Sequence, residues 1–143
     1  MSRIVKYRVW DKEQRHMFAV PSLHFGDDGS GRTITMWIKT PGTHNGLLVM
    51  GENAELMQFT GLLDKNGKEV YEGDIIKAAL VETGEIKQAI EAVTYDNKHA
   101  AYLPFCQRMA YDEGLWIECV DGFEVIGNIY QHPALLILQE PRT

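Results

Sequence analysis

Two carboxylates stand on either side of a glycine in the stretch Tyr71-Glu72-Gly73-Asp74. A pair of this kind could serve as a general acid and a general base, or could bind a metal ion. Acid–base chemistry requires the two carboxylates to lie in different environments, so that their pKa values diverge. A turn between two strands normally leaves both groups in water. We therefore predict a structural role, in which Asp74 accepts hydrogen bonds from backbone N–H groups where Gly73 bends the chain.

The histidines and cysteines follow no known spacing of a metal site. Neither Cys106 nor Cys119 has a CxxC partner. A disulfide between them is one alternative, but we expect two reduced thiols in a cytosolic protein. A Cys/His pair assembled through space also stays open, although Cys106, beside Pro104-Phe105, is typical of a packed thiol. We predict no metal ion and no cofactor. The histidines are His16, His24, His44, His99 and His132.

Motifs of phosphate-binding loops and of serine hydrolases are missing from the sequence. The chain has no GxxxxGK[ST] motif and no GxGxxG motif after a strand, and none of its serines stands in a GxSxG frame. The glycine-rich stretch 26–31 contains Asp27 and Asp28, which would repel a phosphate. These absences favour a protein that is not an enzyme.

Basic residues are concentrated at the start of an acidic chain. The net charge is −6, yet residues 1–15 carry +3 and the rest carry −9. Alternation along a strand would place Lys6, Arg8 and Trp10 on one face. An aromatic ring beside basic residues can stack on single-stranded nucleic acid. Nucleic-acid binding through these three residues is our second functional hypothesis; its alternative is that Trp10 and Tyr7 pack against the barrel.

The stretch Asp64-Lys65-Asn66-Gly67 is the clearest turn in the sequence. An apolar run, 56–63, precedes it, and 68–71 resumes the strand pattern. Asp and Asn stabilise turns, and Gly67 can adopt the left-handed conformation that closes such a hairpin. We therefore predict a hairpin here, followed by a sharp bend at Gly73.

Short strand patterns between glycine-containing turns recur along the rest of the chain. Residues 86–93 fit either a helix or a strand, and we favour the strand because Thr94 and Tyr95 follow. Asp121-Gly122 predicts a second hairpin turn. Residues 134–138 are predicted to form a short helical turn or a closing edge strand. The other predicted strands cover residues 4–10, 17–20, 33–38, 75–82, 102–105, 115–120 and 123–130.

Many short strands with tight turns predict a mainly β fold, a small barrel or a compact sandwich. The 143 residues have the size of one domain and contain no linker or repeat. We predict a single domain, 1–143, with an appended N-terminal β layer over about 1–55 and a barrel over 56–138. No apolar run approaches the roughly 20 residues that cross a bilayer, and no secretory signal is evident. We therefore expect a cytoplasmic protein without a membrane partner.

Three stretches of the chain resemble the YopX-like family of phage and prophage proteins. Together they span nearly the whole sequence, and the central one is the most specific. They are Lys6-Tyr7-Arg8-Val9-Trp10-Asp11, the segment from Leu56-Met57-Gln58-Phe59-Thr60-Gly61-Leu62 to Gly73-Asp74-Ile75-Ile76, and Val125-Ile126-Gly127-Asn128-Ile129-Tyr130 with Pro133.

This resemblance implies a small protein of phage origin, with a C-terminal part similar to a barrel of the Src-homology-3 type. The family has no established activity and supplies no catalytic residues to carry over. The acidic, alanine-rich segment from Ala78 to Ala92 is longer than the resemblance leads us to expect. We expect an accessory protein that acts by binding another protein or by forming a homo-oligomer, in the host cytoplasm.

Overall fold

The structure, a computed structural model, describes residues 3–20, 35–37, 47–49, 54–82, 84–98, 100–105 and 119–137. These residues are mainly β, as the sequence predicts, and include a curled half-barrel sheet. The Src-homology-3 type of barrel stays a prediction. The chain divides into two compact units, Met1–Phe59 and Thr60–Thr143.

The predicted strands 4–10 and 17–20 are confirmed in the first unit as β1 (Tyr7–Asp11) and β2 (His16–Ala19), which form a hairpin. They pair antiparallel, with Val9 opposite Phe18, and β1 also pairs with the start of β5 (Ala54–Leu63). Asp11 ends β1, and its Oδ1 accepts hydrogen bonds from the backbone N–H groups of Glu13 and Gln14 at 2.9 and 3.2 Å. The strands of this unit are β1 (Tyr7–Asp11), β2 (His16–Ala19), β3 (Thr35–Trp37), β4 (Leu47–Val49) and the first part of β5 (Ala54–Leu63).

Both faces of β1 are covered at its centre. Val9 is fully buried with Ala54, and Phe18, Val20 and Leu56 pack against them. Trp10, on the opposite face, is also buried. Burial of an aliphatic or aromatic side chain contributes about 1.5–3 kcal/mol, so this small cluster stabilises the hairpin that its alternating sequence encodes.

The second unit contains a three-stranded antiparallel sheet in the order β11 (Cys119–Asn128), β7 (Asp74–Glu82) and β8 (Glu85–Ala92). The segment that fits both helix and strand is a strand, because each residue of β8 pairs with β7, as in Ala89 with Ala78. The strands of this unit are β6 (Glu69–Tyr71), β7 (Asp74–Glu82), β8 (Glu85–Ala92), β9 (Thr94–Asp96), β10 (Ala101–Leu103) and β11 (Cys119–Asn128). A single helical turn, α1 (Ala134–Ile137), follows Pro133.

The core of the second unit lies between β6 and the three-stranded sheet. It consists of Val70, Ile76, Val93 and Val125, with partly buried phenylalanines packed against it. The phenylalanines are Phe105 and Phe123, whose ring centroids are 4.9 Å apart. One apolar cluster therefore joins the hairpin strand β6 to strands β7 and β11.

The hairpin turn predicted at Asp121-Gly122 is wrong, because β11 runs through these residues as one strand. Cys119 pairs with Leu80 and Phe123 pairs with Ala78, so three residues of β11 stand opposite Ala79. Gly122 has a φ of 78°, which a β-bulge can use as well as a turn. Gly122 therefore belongs to a bulge within β11 and not to a chain reversal.

Several predicted features lie outside the described residues. They are the glycine-rich stretch 26–31, most of the strand 115–120, and Cys106, His24, His44 and His99.

A compact turn closes the end of β11. Asn128 Oδ1 accepts hydrogen bonds from the backbone N–H groups of Tyr130 and Gln131 at 3.1 and 2.9 Å. The backbone N–H of Asn128 donates to Nδ1 of His132 at 3.2 Å, and the N–H of His132 donates back to the carbonyl of Asn128 at 2.8 Å. The imidazole therefore lies directly over Gly127.

We expect Gly127→Ala to destabilise the protein. A Cβ atom at this position would lie 2.7 Å from Nδ1 and 2.9 Å from Cγ of His132, so the ring must move and its hydrogen bond is lost. Overpacking of this kind costs about 1–3 kcal/mol, measured as the free energy of unfolding in urea. The same substitution in a His132→Ala background should cost less, since the ring is gone. An equal cost in both backgrounds would contradict the explanation.

Candidate functional site

Asp64 begins the predicted turn between β5 and β6, and its side chain is only 6% exposed. Its Oδ1 accepts hydrogen bonds from the backbone N–H groups of Asn66 at 2.9 Å and Lys68 at 2.8 Å. Gly67 adopts a φ of 82°, and its N–H donates to the carbonyl of Asp64 at 3.0 Å. The side chain of Asp64 thus satisfies the donors that the tight turn would leave without partners.

The second oxygen of Asp64 reaches β11. Oδ2 accepts a hydrogen bond from the backbone N–H of Val125 at 3.0 Å, and the N–H of Lys65 donates to the carbonyl of Phe123, also at 3.0 Å. Burial raises the pKa of Asp64, but the hydrogen bonds from the N–H groups of Val125, Lys68 and Asn66 together lower it by more. The pKa of Asp64 therefore lies below its usual value. One ionised carboxylate therefore fastens the turn to a strand distant in sequence.

Asp74 and Gly73 hold the next bend. Asp74 is buried, and its Oδ2 accepts a hydrogen bond from the backbone N–H of Tyr71 at 2.8 Å. Gly73, with a φ of 81°, donates its N–H to the carbonyl of Val93 and accepts from the N–H of Ile129, both at 2.8 Å. The carboxylate of Asp74 therefore stabilises the backbone of the bend.

Lys6, Arg8 and Trp10 do not form an open platform for nucleic-acid bases. Trp10 is 7% exposed, so its ring cannot stack on a base, and this corrects the expectation of stacking. Lys6 Nζ lies 5.7 Å from the ring centroid of Phe59, and Arg8 is half-buried. The burial of Trp10 agrees with the packing alternative, whereas packing of Trp10 and Tyr7 against the barrel stays a prediction.

The bulge in β11 leaves a depression in the second unit. Gly122 is one of the three residues of β11 that stand opposite Ala79 of β7. It lies beside Lys65 of the turn between β5 and β6, and it has no side chain. Ala79 pairs on its other side with Gln88 of β8. Small residues therefore stand opposite each other at the bulge. The depression has a volume of about 230 Å³ and is lined by Lys65, Lys77, Ala78, Ala79, Gln88, Gly122 and Glu124; we call it the Lys65–Lys77 depression.

Charged side chains form the rim of the Lys65–Lys77 depression. Lys77 and Glu124 stand directly opposite each other on β7 and β11. Lys65 Nζ lies 3.8 Å from Glu124 Oε2, and the two side chains are 47% and 41% exposed. The rim therefore presents two ammonium groups, one carboxylate and the amide of Gln88 to solvent.

Sequence reasoning did not single out this depression. Of its lining residues it named Lys65 and Gly122 as members of turns, and Ala78 as the start of the alanine-rich segment. The depression arises because a bulge brings Gly122 beside Lys65. The nearest local signal is Ala79 after Lys77 in a strand, since a small residue leaves room beside a long charged one.

Within the described part of the chain, no group of three or more His, Cys, Asp or Glu residues is placed to hold a metal ion. No helix in that part is long and apolar enough to cross a membrane.

The sequence model of the family described as YopX protein matches residues 6–137. Among solved structures, the crystal structure of protein EF1440 from Enterococcus faecalis is similar, with 27% identity and a TM-score of 0.58. The match covers 94% of this chain and 99% of that one. No curated protein sequence matches the chain.

We expect Asp64→Asn to lower the free energy of unfolding by about 2–3 kcal/mol. The substitution keeps the size of the side chain but removes its charge, and hydrogen bonds to a charged group contribute about 1.5–3 kcal/mol. The measurement is urea unfolding near neutral pH. Asp96→Asn is the matched control, because Asp96 accepts the N–H of Lys98 at 3.3 Å in an exposed turn. A similar loss in both variants would contradict a special role for Asp64.

The contribution of Asp64 should also depend on pH. Its pKa is lower in the folded protein than in the unfolded chain, where an aspartate titrates at about 3.9. The stabilisation is therefore fully present above that value and is lost as the pH falls through the folded pKa. We expect the difference in unfolding free energy between the native protein and Asp64→Asn to be constant near neutral pH and to shrink in acid. A difference that stayed unchanged in acid would show that the charge is not responsible.

Proposed function

The chain belongs to the YopX protein family, and we propose that it is a non-enzymatic accessory protein of a phage or prophage that acts by binding another protein. Its place of action in this proposal is the host cytoplasm. The observation that carries the proposal is the Lys65–Lys77 depression, a small, open and charged surface built into a sheet. Surfaces of this type suit recognition of a partner more than enclosure of a substrate.

The carboxylates at the turns support a role without acid–base catalysis. Asp11, Asp64 and Asp74 are all buried, and each accepts at least one hydrogen bond from a backbone N–H group. Protonating or moving such a group would disturb the turn that it holds. These three aspartates are therefore poor candidates for proton transfer and good candidates for structural residues.

Charge favours a protein partner over a nucleic acid. The chain has a net charge of −6, and binding to a phosphate backbone rests on many cationic contacts. Trp10, the aromatic member of the predicted basic surface, is buried. Nucleic-acid binding through Lys6, Arg8 and Trp10 consequently has no structural observation in its favour.

A different protein is favoured over a second copy of this chain. β8 is the last strand in the order β11-β7-β8, and pairing of two such edges is the common route to self-association. The sequence of β8 contains Glu85, Lys87 and Glu91. Charged residues on an edge strand oppose its pairing with another edge. Formation of a homo-oligomer is therefore the less favoured alternative within this proposal.

Site-specific photo-crosslinking tests the proposal. A photo-reactive phenylalanine replaces Gln88, which is exposed at the rim, in cells that express the chain from its own gene. We expect a discrete adduct of the 16.2 kDa chain with another protein, because the partner would cover the depression. The same photo-reactive residue in place of Tyr95, an exposed aromatic of β9, is the matched control and should give no such adduct.

The adduct should decrease strongly when Lys65→Glu and Lys77→Glu are introduced together, since both rim charges are then reversed. Absence of an adduct at Gln88, or an equal adduct at Tyr95, would overturn the proposal. An adduct of two copies of this chain would replace the foreign partner with self-association.

A further inference from the structure

We infer that the Lys65–Lys77 depression binds a single carboxylate group of the partner, and that Glu124 competes with this group for Lys65. The carboxylate belongs to an Asp or Glu side chain or to a chain terminus, since both present the same anion. This inference rests on the proposed function, because it takes the carboxylate to come from a protein.

The size of the depression fits one side chain. Its volume is about 230 Å³, below the roughly 300–1,000 Å³ of pockets that enclose a whole small molecule. Two of its lining residues, Ala79 and Gly122, carry at most a methyl group, which leaves room for a short group beside the lysines. The shape therefore selects for the tip of a side chain or the end of a chain.

The charge of the depression is opposite to the net charge of the unit that contains it. Residues 60–143 contain seven Lys or Arg and fourteen Asp or Glu, whereas the rim carries Lys65 and Lys77 against Glu124. A carboxylate placed between the lysines meets a local excess of positive charge. The acidic remainder of the unit would repel a strongly acidic segment at longer range, which favours an isolated carboxylate.

The ion pair between Lys65 and Glu124 can open at little cost. Its atoms are 3.8 Å apart and both side chains are nearly half exposed, and exposed pairs contribute about 0.2–1 kcal/mol. Lys77 stands opposite Glu124 across the strands and can balance its charge after Lys65 turns away. Lys65 is then able to donate hydrogen bonds to the incoming carboxylate.

The backbone of Lys65 is held while its ammonium group moves. Its N–H donates to the carbonyl of Phe123 at 3.0 Å, and its Cβ lies 3.5 Å from where a side chain at Gly122 would begin. The stem of the side chain is therefore anchored beside the bulge. Exchange of carboxylates requires rotation of the outer methylene groups alone.

Titration of the ¹⁵N-labelled protein with short capped peptides tests the inference. The probes are acetyl-Gly-Glu-Gly-amide, which has a side-chain carboxylate, and acetyl-Gly-Gly-Gly with a free terminal carboxylate. The matched control is acetyl-Gly-Gln-Gly-amide, which has the same shape and no charge. We expect saturable shifts of the amide signals of Lys65, Lys77, Gln88 and Gly122 with one or both carboxylate peptides, and none with the control. The peptide that binds more tightly identifies the source of the carboxylate.

Three variants test the assigned roles. Lys77→Met should weaken binding about 2- to 5-fold, which corresponds to one exposed charge pair. Glu124→Gln should tighten binding by a similar factor, because the internal competitor for Lys65 is removed; a damaged fold would not give this gain. Lys98→Met removes an exposed lysine outside the depression and should leave binding unchanged.

Equal binding of the glutamine peptide, unchanged or weaker binding by Glu124→Gln, or an equal loss in Lys98→Met would overturn the inference. Crosslinking at Gln88 without carboxylate binding would remove this inference and keep the proposed function. Carboxylate binding without any crosslinked protein would remove the protein partner, and with it both proposals.

Discussion

The carboxylate of Asp64 is the interaction on which the arrangement of the second unit depends. Its two oxygens accept backbone hydrogen bonds from both sides of a contact, Asn66 and Lys68 in its own turn and Val125 in β11. Val125 is 61 residues away in sequence, so this single side chain closes a long loop. Because the donors are backbone groups, the interaction fixes the path of the chain and not merely the position of side chains.

The local part of this arrangement can be predicted from sequence, and the distant part cannot. Asp64 and Gly67 predict a turn because an Asx turn and a positive φ depend only on residues within four positions of each other. Nothing near Asp64 specifies Val125 as its partner. Residues 86–93 show the same limit, since their apolar spacing fits a helix and a strand until pairing with β7 decides.

Gly122 shows why the candidate site cannot be predicted from the sequence. A glycine after an aspartate predicts a positive φ, and the structure has one at 78°. A hairpin turn and a bulge both use such a glycine, and only the neighbouring strand distinguishes them. Here β7 continues past the glycine and pairs with residues on both sides of it. The Lys65–Lys77 depression is a product of that register, so it appears when three strands and a turn are assembled.

The same contacts explain why a charged depression persists on this sheet. Lys65 follows Asp64 directly, and the hydrogen bonds of Asp64 to Val125 and of Lys65 to Phe123 lie on either side of Glu124, just past the bulge. The turn therefore holds β11 in the bulged path, and the bulged path leaves the space beside Ala79. A cavity lined by apolar groups would tend to collapse or to cost stability, but this one is open to water and rimmed by charges. The charged rim can be solvated, so the fold can keep this depression without a penalty to its core.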